Sequence, residues 1–170
     1  DWVSWAVNNG IRPELIAFLR YRPELLYSYD PKRNDKAFPT PRSWQFASQI
    51  IDASTMDVEG DLLAGIVGEG AASELIGFLR IVRTIPDPDM VLKAPAKADV
   101  PTDPATLYAL CGALAHRATA ANFAKVVQYG KRLPTEYSVL LVRDALSRDS
   151  SLASTRAFIE WSADNADVLM

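Results

Sequence analysis

One arginine at a helix start is the residue of this chain best placed to do chemistry. It lies in Phe38-Pro39-Thr40-Pro41-Arg42-Ser43-Trp44. Thr40 can act as N-cap, its hydroxyl accepting from a backbone N–H that the helix leaves unpaired. Pro41 then takes the first helical position, where a missing N–H costs nothing and a fixed φ already suits the helix. Arg42 follows in the first turn. The positive end of the helix dipole favours anions there, so a cation is misplaced by about 0.3–1 kcal/mol. An anion brought to this point would meet the dipole, free backbone N–H groups and a guanidinium together. The same residues also suit a plain capped surface helix with Arg42 in solvent.

Other candidate chemistry is thinner. A phosphate-binding P-loop needs G-x-x-x-x-G-K-[ST], so that backbone N–H groups cradle phosphates and a lysine reaches the terminal ones. Gly65 and Gly70 have the glycine spacing, but Ala71 and Ala72 follow, without Lys or Thr. Gly65, Gly68 and Gly70 do not fit the dinucleotide pattern either. Val139-Leu140-Leu141-Val142-Arg143-Asp144 comes nearest to a strand ending in a metal-binding Asp, yet it lies in a helical pattern and lacks a following Glu. Cys111 and His116 are five apart, a poor spacing for a shared metal, and no second pair accompanies them. The apolar company of Cys111 favours a buried, inert thiol. Glu69 and Glu74 are not paired for acid–base work. Glu69 is expected in a turn before a helix, near its favourable positive end.

The elements that must position Arg42 read as helices throughout. Arg12-Pro13-Glu14-Leu15 and Arg22-Pro23-Glu24-Leu25 repeat one helix-start signal, Pro first and Glu next. Leu15, Ile16, Phe18 and Leu19, then Leu25, Leu26 and Tyr29, supply apolar faces. Pro31 to Asp35 reads as a polar turn. From Pro41, the residues Trp44, Phe46, Ala47, Ile50 and Ile51 recur at helical spacing, which leaves Arg42 facing away from most of them. Further helices are expected over Asp57–Val67 and Gly70–Arg83. Residues 84–103 hold Pro86, Pro88, Pro95 and Pro101 among Asp87, Asp89, Asp99 and Asp103, a composition that suits a linker. Beyond it, Asp103-Pro104, Thr119 and Pro134-Thr135-Glu136 signal helix starts, and Ser151 or Ser154 could open a last one. Val139 to Leu146 is dense enough to be the central helix, with Ile159, Trp161 and Leu169 closing the bundle. The expected fold is all-α: a small helical subdomain over 1–83, a Pro/Asp-rich linker over 84–103 and a helical bundle over 104–170.

Four stretches resemble the C-terminal part of MoxR-type AAA+ ATPases. They are Asn9-Gly10-Ile11-Arg12-Pro13-Glu14, Arg22-Pro23-Glu24-Leu25-Leu26, Ala37 to Trp44, and Gly68-Glu69-Gly70-Ala71-Ala72. In that family a small helical lid follows the P-loop core, and one lid helix starts with the sensor 2 arginine, which reaches the γ-phosphate of the nucleotide. The resemblance puts that role on Arg42, with Thr40 and Pro41 supporting the helix start. It implies ATP and Mg in the full-length protein, held by a P-loop core that this sequence lacks. It also implies homo-oligomeric rings and a chaperone-like action on partner proteins, often ones with von Willebrand A domains. On this reading the chain is a fragment, a lid plus a C-terminal helical extension, and not an enzyme by itself. A start at Asp1 without an initiator Met or signal peptide agrees with that expectation.

Composition narrows the partners. Of 170 residues, 49% are apolar and 23% charged, ordinary for a globular protein. A net charge of −3 argues against general nucleic-acid binding, which needs basic surface to replace counterions. No apolar run approaches the roughly 18 residues of a membrane span. A single cysteine excludes an internal disulfide and fits a cytoplasmic setting. Residues 1–48 carry seven basic and five acidic side chains, whereas 49–103 carry four and ten. The basic end includes Arg12, Arg20, Arg22, Lys32, Arg33, Lys36 and Arg42, where an ATP-facing surface would lie. The competing expectation is a free-standing helical interaction module with no nucleotide link, docking through the 104–170 bundle or the acidic middle.

Overall fold

The computed structural model of the chain describes residues 2–33, 35–53 and 56–166, with the side chains of 52, 53, 56 and 57 outside the description. The described residues form ten α-helices, two 3-10 turns and no strand. The fold is all-α. It divides into two compact units, Asp1–Thr84 and Ile85–Met170.

The first unit contains α1 (Trp2–Asn8), α2 (Pro13–Tyr21), a 3-10 turn (Pro23–Leu25), α3 (Pro41–Ala53), α4 (Met56–Val67) and α5 (Glu69–Val82). Pro13 opens α2 as its motif predicts, and all five residues from Leu15 to Leu19 are buried. Phe18 is the hub of this core, 5.8 Å from the Trp44 ring and 5.6 Å from that of Phe78. Helices α3, α4 and α5 pack in succession, and α2 lies against α5. Leu63, Leu75 and Ala47 fill the space between them.

The second Pro-Glu motif has a different outcome. Pro23–Leu25 is one 3-10 turn and not an α-helix. The carbonyl of Leu25, which a helix would offer to residue 29, instead accepts from the Trp44 indole N–H at 2.7 Å. Arg22 is drawn to Glu74 on α5, Nη2 to carboxylate 2.6 Å. Tertiary partners thus override a local signal worth a few tenths of a kcal/mol per residue. Tyr29, expected on an apolar face, is exposed and lies against Phe38, ring centroids 4.7 Å apart.

The second unit contains α6 (Pro88–Lys93), α7 (Pro104–Arg117), α8 (Phe123–Gly130), α9 (Thr135–Arg148), a 3-10 turn (Ser150–Ser154) and α10 (Arg156–Asp164). Helix α9 is central as expected, packed on α7, α8 and the second 3-10 turn. Leu110, Leu114, Phe123, Leu141 and Trp161 form a single core. Thr119 begins a turn, and α8 starts four residues later at Phe123. Thr155, not Ser151 or Ser154, caps α10. Trp161 closes the bundle, its indole N–H donating to Ser138 Oγ at 3.1 Å. Ile159 faces solvent at 58% exposure. Leu169 lies outside the described residues.

Of the 84–103 stretch, all but Thr84 folds with this second unit and does not behave as a spacer. Asp87 caps α6 by accepting from the Asp89 N–H at 2.9 Å, with Pro88 at the first position. Val91 and Leu92 are buried in the core. Downstream, Arg132 Nη1 donates to the Pro95 and Ala98 carbonyls, 2.6 Å each, and the Tyr129 hydroxyl donates to the Asp99 carbonyl at 2.7 Å. Prolines remove backbone donors, so side chains from α8 and its C-terminal turn satisfy the carbonyls that secondary structure leaves over.

Candidate functional site

The start of α3 is locked from both sides. The Ser43 N–H donates to Thr40 Oγ1 at 3.0 Å, and the Thr40 N–H donates to Ser43 Oγ at 2.8 Å. This is a reciprocal capping box in which a serine takes the place of the usual Glu or Gln. The Trp44 N–H then donates to the Thr40 carbonyl at 3.0 Å, the first helical bond. Trp44 is fully buried and anchors α3 from below. The preceding loop is fixed where the Ser28 N–H donates to the Pro39 carbonyl at 3.1 Å. Thr40 and Pro41 occupy the positions expected from the sequence. Ser43 was the missed partner, and T-x-x-S at a helix start was its signal.

Arg42 stands exposed on this rigid start. Among the described residues no hydrogen bond or ion pair holds its side chain. The backbone donors nearby are fewer than the sequence reading expects. Pro41 has no N–H, and those of Thr40 and Ser43 are used within the box. The N–H of Arg42 alone remains open in the first three positions, beside the guanidinium and the positive end of a 13-residue helix with no acidic residue in its first turn.

The rest of the basic end is not assembled around Arg42. Arg12 pairs with Glu14 at 3.1 Å, and Arg22 with Glu24 and Glu74 at 2.7 and 2.6 Å. Arg33 and Lys36 line a groove of about 930 Å³ between the 28–39 loop and the α4–α5 junction, which Arg42 does not line. Asp30, Asp35, Glu69 and Glu74 line it as well, so the groove carries both signs and selects neither.

Gly68-Glu69-Gly70 forms that junction. Gly68 is the N-cap of α5 at φ 85° and ψ 154°, and Glu69 occupies the first helical position, one place later than a preceding turn. A Cβ on Gly68 would lie 2.7 Å from the Ala37 carbonyl oxygen, so the two backbones are in direct contact. In the sequence this glycine fails the dinucleotide pattern and belongs to the Gly68-Glu69-Gly70-Ala71-Ala72 stretch that resembles MoxR proteins, with no role of its own. Its signal was the lack of any Ser, Thr, Asp or Asn cap before α5.

Cys111 is buried with Sγ 3.7 Å from the Tyr137 carbonyl. Among the described residues no three His, Cys, Asp or Glu side chains cluster as a metal site. Asp144 is buried on α9, within a helix rather than at a strand end. Among the described residues no helix is long and apolar enough to cross a membrane.

No protein-family model, curated protein or solved structure matches the chain. The MoxR resemblance therefore rests on its motifs alone.

Proposed function

We propose that this chain is the nucleotide-sensing lid, with an accessory helical unit, of a MoxR-type AAA+ ATPase. One observation carries the reading: Arg42 is held at a capped, buried-anchored helix start with its guanidinium exposed and, among the described residues, unengaged. Such a placement costs stability through the helix dipole and suits an anion supplied from outside the unit. On this reading Arg42 bonds the γ-phosphate of ATP held, with Mg, in the P-loop core of the same protein, and draws the lid closed. Hydrolysis removes that contact and releases the lid. A ring of subunits would turn this difference into movement against a partner protein, of which a von Willebrand A domain is one candidate.

The test is ATP hydrolysis by the full-length protein. Arg42→Ala should slow turnover on the order of 10²–10³, as loss of one positioned electrostatic donor does. Unchanged turnover with unchanged ATP affinity would sink the proposal. The second reading, a helical interaction module, draws on exposed Phe46, Val58 and Leu62 on α3 and α4. It takes over if the full-length protein neither binds nor hydrolyses ATP.

A further inference from the structure

We infer that Gly68 is a positioning residue for Arg42, acting through the 37–40 backbone; the catalytic half of this inference rests on the sensing role just proposed. Gly68 combines a backbone conformation that L side chains rarely adopt with a neighbour that cannot rotate away. At φ 85° a side chain is strained, and its Cβ would meet the Ala37 carbonyl oxygen at 2.7 Å and the carbonyl carbon at 3.5 Å. The junction itself is held on both sides. The Gly68 N–H donates to the Ala64 carbonyl and the Gly68 carbonyl accepts from the Ala72 N–H, both at 3.0 Å. The 37–38 loop must therefore give way before the junction does.

The loop passes such a displacement on. Ser43 Oγ has the Phe38 carbonyl at 3.2 Å and the Thr40 carbonyl at 3.0 Å as alternative acceptors for its one proton, and is itself the acceptor for the Thr40 N–H. Pro39 and Pro41 fix φ on either side of the cap, so little slack separates Ala37 from Arg42. Displacing a side chain from its productive geometry by about 1 Å can cost as much as a hundredfold in rate.

Two other glycines supply controls. Gly10 also has a positive φ, 71°, but a Cβ there meets nothing within 4 Å. Gly10→Ala therefore carries backbone strain without the push on the loop. Gly70→Ala, in open space at negative φ inside α5, carries neither.

The first experiment is amide hydrogen exchange on this chain. Gly68→Ala should speed exchange at Ser43 and Trp44 by roughly five- to tenfold, the factor that goes with loss of a cap. Leu110 and Leu141 amides in the second unit should not change, nor should Ser43 in Gly10→Ala or Gly70→Ala. Unchanged exchange at Ser43 and Trp44 in a folded Gly68→Ala would overturn the inference without reference to ATP.

The second experiment is a double-mutant cycle on ATP turnover of the full-length protein. Gly68→Ala should lower turnover by at least tenfold alone and add nothing in an Arg42→Ala background. Losses that multiply would make Gly68 merely structural. If Gly68→Ala does not fold, Ser43→Ala breaks the same relay at its other end and must show the same non-additivity. An Arg42→Ala protein with normal turnover would instead defeat the sensing role, leaving the exchange result to judge the coupling.

Discussion

Helices α3 and α7 begin with the same grammar and serve different ends. Thr40-Pro41-Arg42-Ser43 and Asp103-Pro104-Ala105-Thr106 each run cap, proline, variable residue, hydroxyl. In both, the cap oxygen accepts from the backbone N–H three residues on, at 3.0 Å in α3 and 2.8 Å in α7. At α7 the cap is a carboxylate, which meets the helix dipole, and the variable residue is a buried alanine. At α3 the cap is neutral and the variable residue is an exposed cation. The first is what stability alone asks of a helix start. The second gives up dipole stabilisation while keeping full positional control, the combination expected where an anion arrives from elsewhere.

The largest effect should come from removing what anchors the second kind of start. Trp44→Ala deletes a fully buried side chain and leaves the Leu25 carbonyl without its donor. It should lower stability by about 3–5 kcal/mol, as measured by urea unfolding. Its counterpart Leu107→Ala, one turn into α7, should cost about 2–5 kcal/mol. If Trp44→Ala costs under 1 kcal/mol, α3 is not held from below and the rigidity argued for Arg42 fails.

The two starts were also unequally legible. Pro41 and Pro104 announce both helices, and Thr40 and Asp103 announce both caps, because these signals are local and act within four residues. The all-α fold followed from helical spacing for the same reason. Asp87-Pro88 carries the same signal as Asp103-Pro104 but was submerged in a run of prolines. The donors that make 85–103 part of the second unit, Arg132 and Tyr129, come from thirty or more residues away. Arg22-Pro23-Glu24 shows the converse, a local helix signal overruled by Glu74 and Trp44. Gly68 was legible only as a missing cap, because its constraint is a contact with Ala37, which no local pattern encodes. Arg42 was visible as a broken rule, and helical spacing already turned it away from the apolar face, whereas its lack of a carboxylate partner among the described residues needed the fold.

A next effect separates fastening from presentation in the second unit. Tyr129 is buried and ties the 95–99 strap down through its hydroxyl, and burial, with Cys111 and Asp99 adding to it, pushes its pKa from 10.0 up to about 12. A raised pKa means that the neutral phenol is the form the fold prefers. Its contribution is complete below pH 10 and is lost as pH climbs toward 12. Urea midpoints should therefore fall over that window, and Tyr129→Phe should flatten that part of the fall. An identical slope in the variant would show that other groups dominate alkaline unfolding.

The caps themselves should differ by less. Thr40→Ala and Asp103→Ala should each cost about 1 kcal/mol by urea unfolding. Only the Asp103 loss should shrink at 1 M salt, because only that cap adds a charge–dipole attraction that ions screen. Equal salt sensitivity at both positions would erase the electrostatic distinction between the two helix starts.

The smallest effect is the most discriminating, because its sign opposes that of function. Arg42→Glu exchanges a cation for an anion in the first turn of α3, at an exposed position with no partner among the described residues. Nothing is lost from the core, and the dipole gains a favourable charge, so the folded chain should become more stable by about 0.3–1 kcal/mol at low salt. The matched change Ala105→Glu buries a charge in the first turn of α7 and should destabilise strongly. If the proposed sensing role holds, Arg42→Glu in the full-length protein should still abolish ATP turnover, since a carboxylate repels the phosphate that an arginine would bind. A residue whose replacement improves the fold and destroys the activity is held in place by function. If Arg42→Glu destabilises the chain instead, the arginine is making a structural contact and α3 is a helix start of the same kind as α7.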